Sequence, residues 1–169
     1  MWMKSAVGSV KNNTLSLLFS DFKEITKAKL AVSVVFSSIA GYLLGAYQID
    51  LFSLMFGGYC MVGASNAYNQ IIERDLDALM KRTRNRPIPS GRMSVRTALL
   101  VAILMTVLGV LSLLALSPKT AMFGAISLFL YTSVYTPLKT KSPLAVFVGA
   151  FPGAIPFMLG WVAATDDFG

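Results

Sequence analysis

A chain of 169 residues that is 55% hydrophobic, with a mean hydropathy of +0.65 and 14% charged side chains, is too apolar for a soluble domain, in which about a quarter of residues are charged. The lack of histidine removes His-based catalysis, His-ligated zinc and a histidine ligand for haem. A single cysteine, Cys60, set in an apolar run, leaves no intramolecular disulfide and no redox motif.

Residues 1–28 read as a cytoplasmic lead-in. They hold no cleavable apolar core, and Lys-only charge with Asp21 and Glu24 fits poorly with an Arg-rich presequence. From Ser16, SLLFSDFKEITKAKL is amphipathic enough to lie along a membrane surface. Five runs free of Asp, Glu, Lys and Arg follow, roughly 30–47, 51–72, 97–116, 120–136 and 143–165. Each has about the 17 to 25 residues that cross a bilayer core. They are continuous, not alternating segments of about ten, which argues against a β-barrel. The fold class is therefore all-α, a polytopic transmembrane helical bundle. Gly41 and Gly45 give the first run a GxxxG spacing that lets another helix approach closely. Pro143, Gly149, Pro152, Gly153, Pro156 and Gly160 predict that the fifth helix is kinked or interrupted, which lipid tolerates only where protein or a cavity shields the break.

The net charge of +7 could suggest nucleic acid, but its distribution argues otherwise. With a cytoplasmic N-terminus, 14 Lys and Arg fall inside and one, Lys119, outside. The positive-inside rule accounts for this asymmetry with no nucleic acid, and places residue 169 outside.

The stretch NQIIERDLDALMKRTRNRPIPSGR, residues 69–92, concentrates nine charged side chains directly after the second run. If that helix continues past Ile72, Asn69, Glu73 and Asp77 fall at i, i+4 and i+8, drifting about 40° and climbing about 6 Å per step, and so share one face. Asp75, about 200° from Glu73, points away. Pro87 and the Pro89-Ser90-Gly91 segment end the helix near Arg86. Carboxylates stacked on one face repel one another. A hard divalent cation resolves this, and Mg²⁺ suits because it takes a few carboxylates together with phosphate oxygens. Lys81, Arg82, Arg84 and Arg86, just downstream, offer the cations a diphosphate requires. A solvated loop that only sets topology, and an ion-conducting vestibule, are the competing readings. Asn69, costly in lipid yet in register with two carboxylates, is what the topology loop leaves unexplained. No GxxxxGK[ST] occurs, so a Walker-type phosphate loop is excluded. Tyr131 and Tyr135, at i and i+4 near the cytoplasmic end of the fourth run, can face the diphosphate or belong to an aromatic belt. Lys139 is likewise divided between substrate contact and topology.

The same stretch resembles the first acidic motif of the UbiA superfamily of intramembrane prenyltransferases, an Asn and two acids at four-residue spacing followed by RTxxRP. Asn69, Glu73 and Asp77 match the motif positions, with Glu where Asp is commoner. Arg82-Thr83 and Arg86-Pro87 match the basic segment. YTPLKTKSPLAVFVGAFPGAIPFMLGWVAAT, residues 135–165, is similar to the YTPLK and Gly/Pro-rich segments of the protohaem IX farnesyltransferases, the haem O synthases. FKEITKAKL looks like that family's lead into its first helix, with Lys27 in register. The resemblance implies a nine-helix bundle, with residues 29–169 as the N-terminal part of its transmembrane domain, in a bacterial cytoplasmic membrane. It implies two acidic motifs that bind Mg²⁺ and farnesyl diphosphate, and transfer of farnesyl to a vinyl group of haem B, giving haem O for terminal oxidases. Partners would then include the lipid bilayer and haem-handling or oxidase-assembly membrane proteins. The resemblance assigns Asn69, Glu73 and Asp77 to metal. Lys81, Arg82, Arg84 and Arg86 would take diphosphate, with Lys27, Tyr131, Tyr135 and Lys139 as further contacts. A second acidic motif, later histidines and four more helices have no counterpart in these residues, so the chain is expected to be the N-terminal portion of a longer protein. The alternatives are a UbiA-type enzyme acting on an aromatic acid or quinone precursor, a non-catalytic membrane fragment and an ion-conducting protein.

Overall fold

The computed structural model describes residues 16–45 and 50–168, so most of the lead-in, residues 1–15, lies outside it. Helical residues 16–25 (α1) are followed by α2 (Ala28–Gly45), α3 (Leu51–Ile72), the short α4 (Arg74–Leu79) and α5 (Val95–Leu114). After α6 (Pro118–Phe129) the chain widens into a π-helical turn, Leu130–Tyr135, tightens again as α7 (Thr136–Leu138), and ends in α8 (Ala145–Thr165). No strand occurs among the described residues.

The helix starts follow from capping chemistry. Asp50, Ser94 and Ser117 each accept a hydrogen bond from the backbone N–H three residues on, satisfying one of the donors that the first helical turn leaves without a partner. Pro118, directly after Ser117, occupies the one place in a helix where a missing N–H costs nothing.

Packing is organised by two helix pairs, α2 with α8 and α3 with α5. At the first of these the backbones nearly touch: a β-carbon at Gly41 would fall on the Phe157 carbonyl, and one at Gly160 on the Ser38 carbonyl. The glycine spacing of the first apolar run thus has its partner in α8, and Gly45 continues the contact against Ala164 and Thr165. Of the kink or interruption expected, the interruption does not occur: α8 is one element of 21 residues with Pro152 and Pro156 inside it. Both prolines line a cavity, the kind of setting in which a membrane helix tolerates the backbone bonds that proline removes.

The surface is apolar and the interior carries the polar side chains. Phe36, Phe52, Leu100 and Val146 are 68–82% exposed, whereas Asn66, Asn69, Gln70, Glu73, Asp77 and Thr136 are buried. A water-soluble protein inverts this pattern. By length and composition four helical stretches can cross a membrane, Ala28–Gly45, Val95–Leu114, Pro118–Leu138 and Ala145–Thr165. The 22-residue α3 lies among them and supplies the buried amides Asn66, Asn69 and Gln70. At its start the chain buries Ile25 of α1 against Ala67, Ile88 and Met93 and leaves Leu17, Leu18 and Phe19 exposed, an amphipathic arrangement.

Candidate functional site

One end of the bundle gathers the C-terminal end of α3, the α1–α2 junction, the 80–94 loop and the end of α7. Here α3 does not run on to Arg86 as its sequence suggested. It stops at Ile72, Glu73 forms a turn (φ −94°, ψ 5°), α4 resumes at Arg74 and ends at Leu79, and Met80 is extended. The three-residue register survives the break, because Glu73 N–H donates to the Asn69 carbonyl (3.0 Å) and Asp77 N–H to the Glu73 carbonyl (2.8 Å). The earlier end has a local cause. Buried Thr83 donates its hydroxyl to the Asp77 carbonyl (2.9 Å), and Arg86 reaches back to the Asp77 carboxylate, so residues 80–92 fold as successive turns over α4.

Asn69, Glu73 and Asp77 are all buried, while Asp75 is exposed beside Arg74, as its angular position requires. Arg86 Nη1 lies 2.6 Å from Asp77 Oδ2. Lys139 Nζ lies 2.7 Å from Glu73 Oε1, a contact with the geometry of an ion pair and not of a directed hydrogen bond, since this buried oxygen has no hydrogen-bond partner. The Asn69 Nδ2 donates to Thr136 Oγ1 (3.2 Å), and that hydroxyl donates to the Tyr131 carbonyl (2.8 Å) across the π-helical turn, where the Thr136 N–H also bonds Tyr131. The widened turn therefore delivers Thr136 to Asn69 and sets Tyr131 and Tyr135 side by side, ring centroids 5.4 Å apart. Lys139 sits 5.7 Å from the Tyr135 ring.

Lys27 completes the group. Burial, together with the like charges of Arg86 and Lys139, holds its ammonium below the ordinary lysine range, and Glu73 and Asp77 oppose that shift. Two carboxylates thus face three cations, Lys27, Arg86 and Lys139. The remaining cations of the sequence assignment, Lys81, Arg82 and Arg84, are exposed on the loop and are not drawn into the buried cluster.

Whether the donor set can take a divalent cation depends on which of its oxygens are already committed. Glu73 Oε1 accepts no directed hydrogen bond but is held by the Lys139 ammonium at 2.7 Å, and Asp77 Oδ2 by Arg86, so a cation would have to displace or share these contacts; the Asn69 amide nitrogen is committed to Thr136. No group of three or more His, Cys, Asp and Glu is arranged for a metal among the described residues. Two carboxylates and an amide oxygen suit Mg²⁺, which takes one or two carboxylates and fills its remaining positions with water and phosphate oxygens. The residues fit the ion as a partial ligand set.

Beside this end lies a cavity of about 120 Å³, with Asn66 and Tyr131 in its wall along with apolar Leu113, Ile155 and Leu159. Sequence reasoning missed Thr136, Asn66, Gln70 and Arg92. The last ties α1 to the loop by contacts with Asp21 (2.8 Å), Glu24 (2.9 Å) and the Asn85 carbonyl (2.8 Å). A polar residue inside an apolar run was the available signal for Asn66, Gln70 and Thr136, the last also within the YTPLK segment; nothing local marks Arg92 as a tie to α1.

Comparison with known proteins agrees with this architecture. The model of the UbiA prenyltransferase family matches residues 34–169. The chain is 70% identical over 158 residues to the protoheme IX farnesyltransferase of Flavobacterium psychrophilum, covering 90% of this chain and 53% of that protein. It spans about half the length of the curated relatives it matches. Among solved structures it is similar to that of a digeranylgeranylglyceryl phosphate synthase (TM-score 0.79, 20% identity, 87% of this chain and 53% of that one). It is also similar to a UbiA homolog from Archaeoglobus fulgidus bound to GPP and Mg²⁺ (TM-score 0.73, 18% identity, 85% and 54%). At these identities the structural likeness concerns the fold. The sequence match, the apolar helices and the all-α bundle agree, and the chain belongs to the UbiA prenyltransferase family as a multi-pass membrane protein.

Proposed function

We propose that the protein transfers a farnesyl group from farnesyl diphosphate to a vinyl group of protohaem IX, giving haem O. One observation carries the reading: a buried pair of carboxylates, Glu73 and Asp77, is ringed by Lys27, Arg86 and Lys139 at the end of an apolar cavity. The 70% identity to a protoheme IX farnesyltransferase supports haem as acceptor.

In this reading Asn69, Glu73 and Asp77 hold Mg²⁺, which when bound would offset negative charge building on the leaving diphosphate. Arg86 and Lys139 then donate to diphosphate oxygens, with Lys81, Arg82 and Arg84 drawing the anion in from the rim. Tyr131 and the apolar wall line the space where an allylic carbocation must be kept from water until the haem vinyl attacks; water then adds to the resulting cation and loses a proton, giving the hydroxyl of haem O. The cavity here is smaller than the roughly 300–1,000 Å³ of typical ligand sites, so in this reading these residues supply one wall of the chamber. The five helical spans start from a cytoplasmic N-terminus in the bacterial cytoplasmic membrane, which puts the site on the cytoplasmic side, where the arginines lie. Positive surroundings of this density oppose a cation-conducting vestibule.

The test uses membranes carrying the protein as the cell makes it, supplied with haem B and farnesyl diphosphate. Haem O should form, cease on chelation of divalent cations and resume with added Mg²⁺. Prenylation of an aromatic acid or quinone precursor, with haem B untouched, would overturn the haem assignment.

A further inference from the structure

Three polar side chains inside the membrane bundle do nothing for the carboxylate cluster directly. Asn66 and Gln70, one turn apart on α3, are 1% and 0% exposed. Asn66 Nδ2 donates to the Thr26 carbonyl (3.1 Å), and Gln70 Nε2 donates to the carbonyls of Glu24 (3.1 Å) and Ile25 (2.9 Å). Because all three partners are acceptors, the orientation of both amides is determined; a flipped amide would set oxygen against oxygen. Thr26, fully buried, turns its hydroxyl back to the Phe22 carbonyl (2.9 Å).

Two of these bonds take up the Ile25 and Thr26 carbonyls at the end of α1, and the third adds to the Glu24 carbonyl, which also accepts from the Lys27 N–H (3.2 Å). Their placement has a specific result. The next residue is Lys27, which stands in the left-handed region at φ 47°, and α2 begins one residue later with Ala31 N–H donating to the Lys27 carbonyl (3.0 Å). A left-handed lysine is unfavourable by itself, since its β-carbon crowds the following carbonyl, and a simple helix-to-helix joint is more easily made with glycine or asparagine. A side chain kept where glycine would be easier calls for a use of that side chain. Gln70 is followed one turn later by Glu73, so the peptide plane held by Asn66 and Gln70 lies beside the carboxylate cluster.

We propose that Asn66 and Gln70 are positioning residues: by holding the carbonyls of residues 24–26 they fix Lys27 in its left-handed turn, so that its ammonium stands beside Arg86 and Lys139 as a third preset cation for diphosphate. This rests on the reading of the site as a diphosphate site. The influence of Glu73, Asp77, Arg86 and Lys139 on the Lys27 ammonium agrees with that placement.

The test is a double-mutant cycle read by binding, with magnesium pyrophosphate as the probe and the detergent-solubilised protein as the cell makes it, followed by calorimetry. Lys27→Gly removes the cation and suits the left-handed turn. Gln70→Glu keeps the shape and replaces the donor by oxygen. Each single variant should weaken pyrophosphate binding about tenfold or more, and the pair should bind no more weakly than Lys27→Gly alone. Gln70→Asn, which retains an amide donor on a shorter arm, should recover part of the loss. Equal loss from Gln70→Glu in the parent protein and in the Lys27→Gly background would make Gln70 merely structural and overturn the inference, as would unchanged binding by Lys27→Gly. Failure of the parent protein to bind pyrophosphate would overturn the diphosphate reading and the inference together.

Discussion

Arg86→Met is the sharpest probe of the cluster, because Arg86 both pairs with a buried carboxylate and turns the loop. Asp77 is 3% exposed at its side chain and Arg86 20%, and their charged atoms are 2.6 Å apart. Removing one member of a buried pair costs about 3–5 kcal/mol, since the other is left charged and desolvated. The low end applies here. Water reaches part of the guanidinium, and Lys27 remains near Asp77 to offset its charge. A loss of about 3 kcal/mol corresponds to a fall of about 6–12 °C in Tm for a chain of this size. Thermal unfolding in detergent measures it. The double variant Asp77→Asn with Arg86→Met removes both charges and should recover much of the loss, a coupling of about 2 kcal/mol. A single-variant loss under about 1 kcal/mol, or a double variant equal to the sum of the singles, would refute the claim that this pair holds the loop.

Asp77→Asn should lower prenyl transfer on the order of 100-fold, whereas Asp75→Asn, exposed beside Arg74, should stay within about twofold; steady-state transfer with labelled farnesyl diphosphate compares them. Gly160→Ala drives a methyl into the Ser38 carbonyl and should cost about 1–3 kcal/mol, while Gly153→Ala meets nothing within 4 Å and should be neutral or stabilising by up to about 1 kcal/mol. Unfolding midpoints that rank the two the other way would contradict the α2–α8 crossing. For Lys27 the folded pKa lies below the ordinary 10.5, so between the two values the unfolded chain holds a proton that the folded chain has lost, and stability rises with pH. Below the folded value the penalty is fully present. Lys27→Met should therefore be more stable than the parent at neutral pH, by a margin that shrinks as pH approaches 10.5; a margin independent of pH would contradict this.

The sequence made the local part of the site legible and the long-range part opaque, for physical reasons. Helical periodicity alone put Asn69, Glu73 and Asp77 on one face and turned Asp75 away, and all four lie accordingly. Continuous apolar runs marked the helices, and the Gly41–Gly45 spacing marked a close crossing without saying which helix crosses. What failed was the belief that proline decides where a helix ends. The chain leaves α4 at Leu79, well before Arg86, as Thr83 bonds the Asp77 carbonyl and Arg86 its carboxylate, and α8 passes through Pro152 and Pro156, both beside a cavity. Asn69 meets Thr136 and Glu73 meets Lys139 across more than 60 residues of chain, and no periodicity reports such partners. The basic stretch read as one phosphate-binding group divides into Arg86, buried on Asp77, and Lys81, Arg82 and Arg84 at the surface.

That division bears on how the cluster works. Lys27 is held at a cost in three ways: a left-handed backbone worth about 1–2 kcal/mol, burial of its ammonium, and two neighbouring cations. Arg86 and Lys139 each have a carboxylate within 2.7 Å, whereas no ion pair of Lys27 occurs among the described residues. Such an arrangement destabilises the protein in proportion to the positive charge it keeps together, and an anion entering the cluster relieves it. Binding of an anion would relieve the electrostatic part of that cost, while the backbone cost of the left-handed turn would stay as it is. Surface arginines at the rim cannot do this, because water already screens them. They can raise the local concentration of an anion, whereas Arg86, largely shielded from water, and the half-buried Lys27 would meet a bound anion at close range.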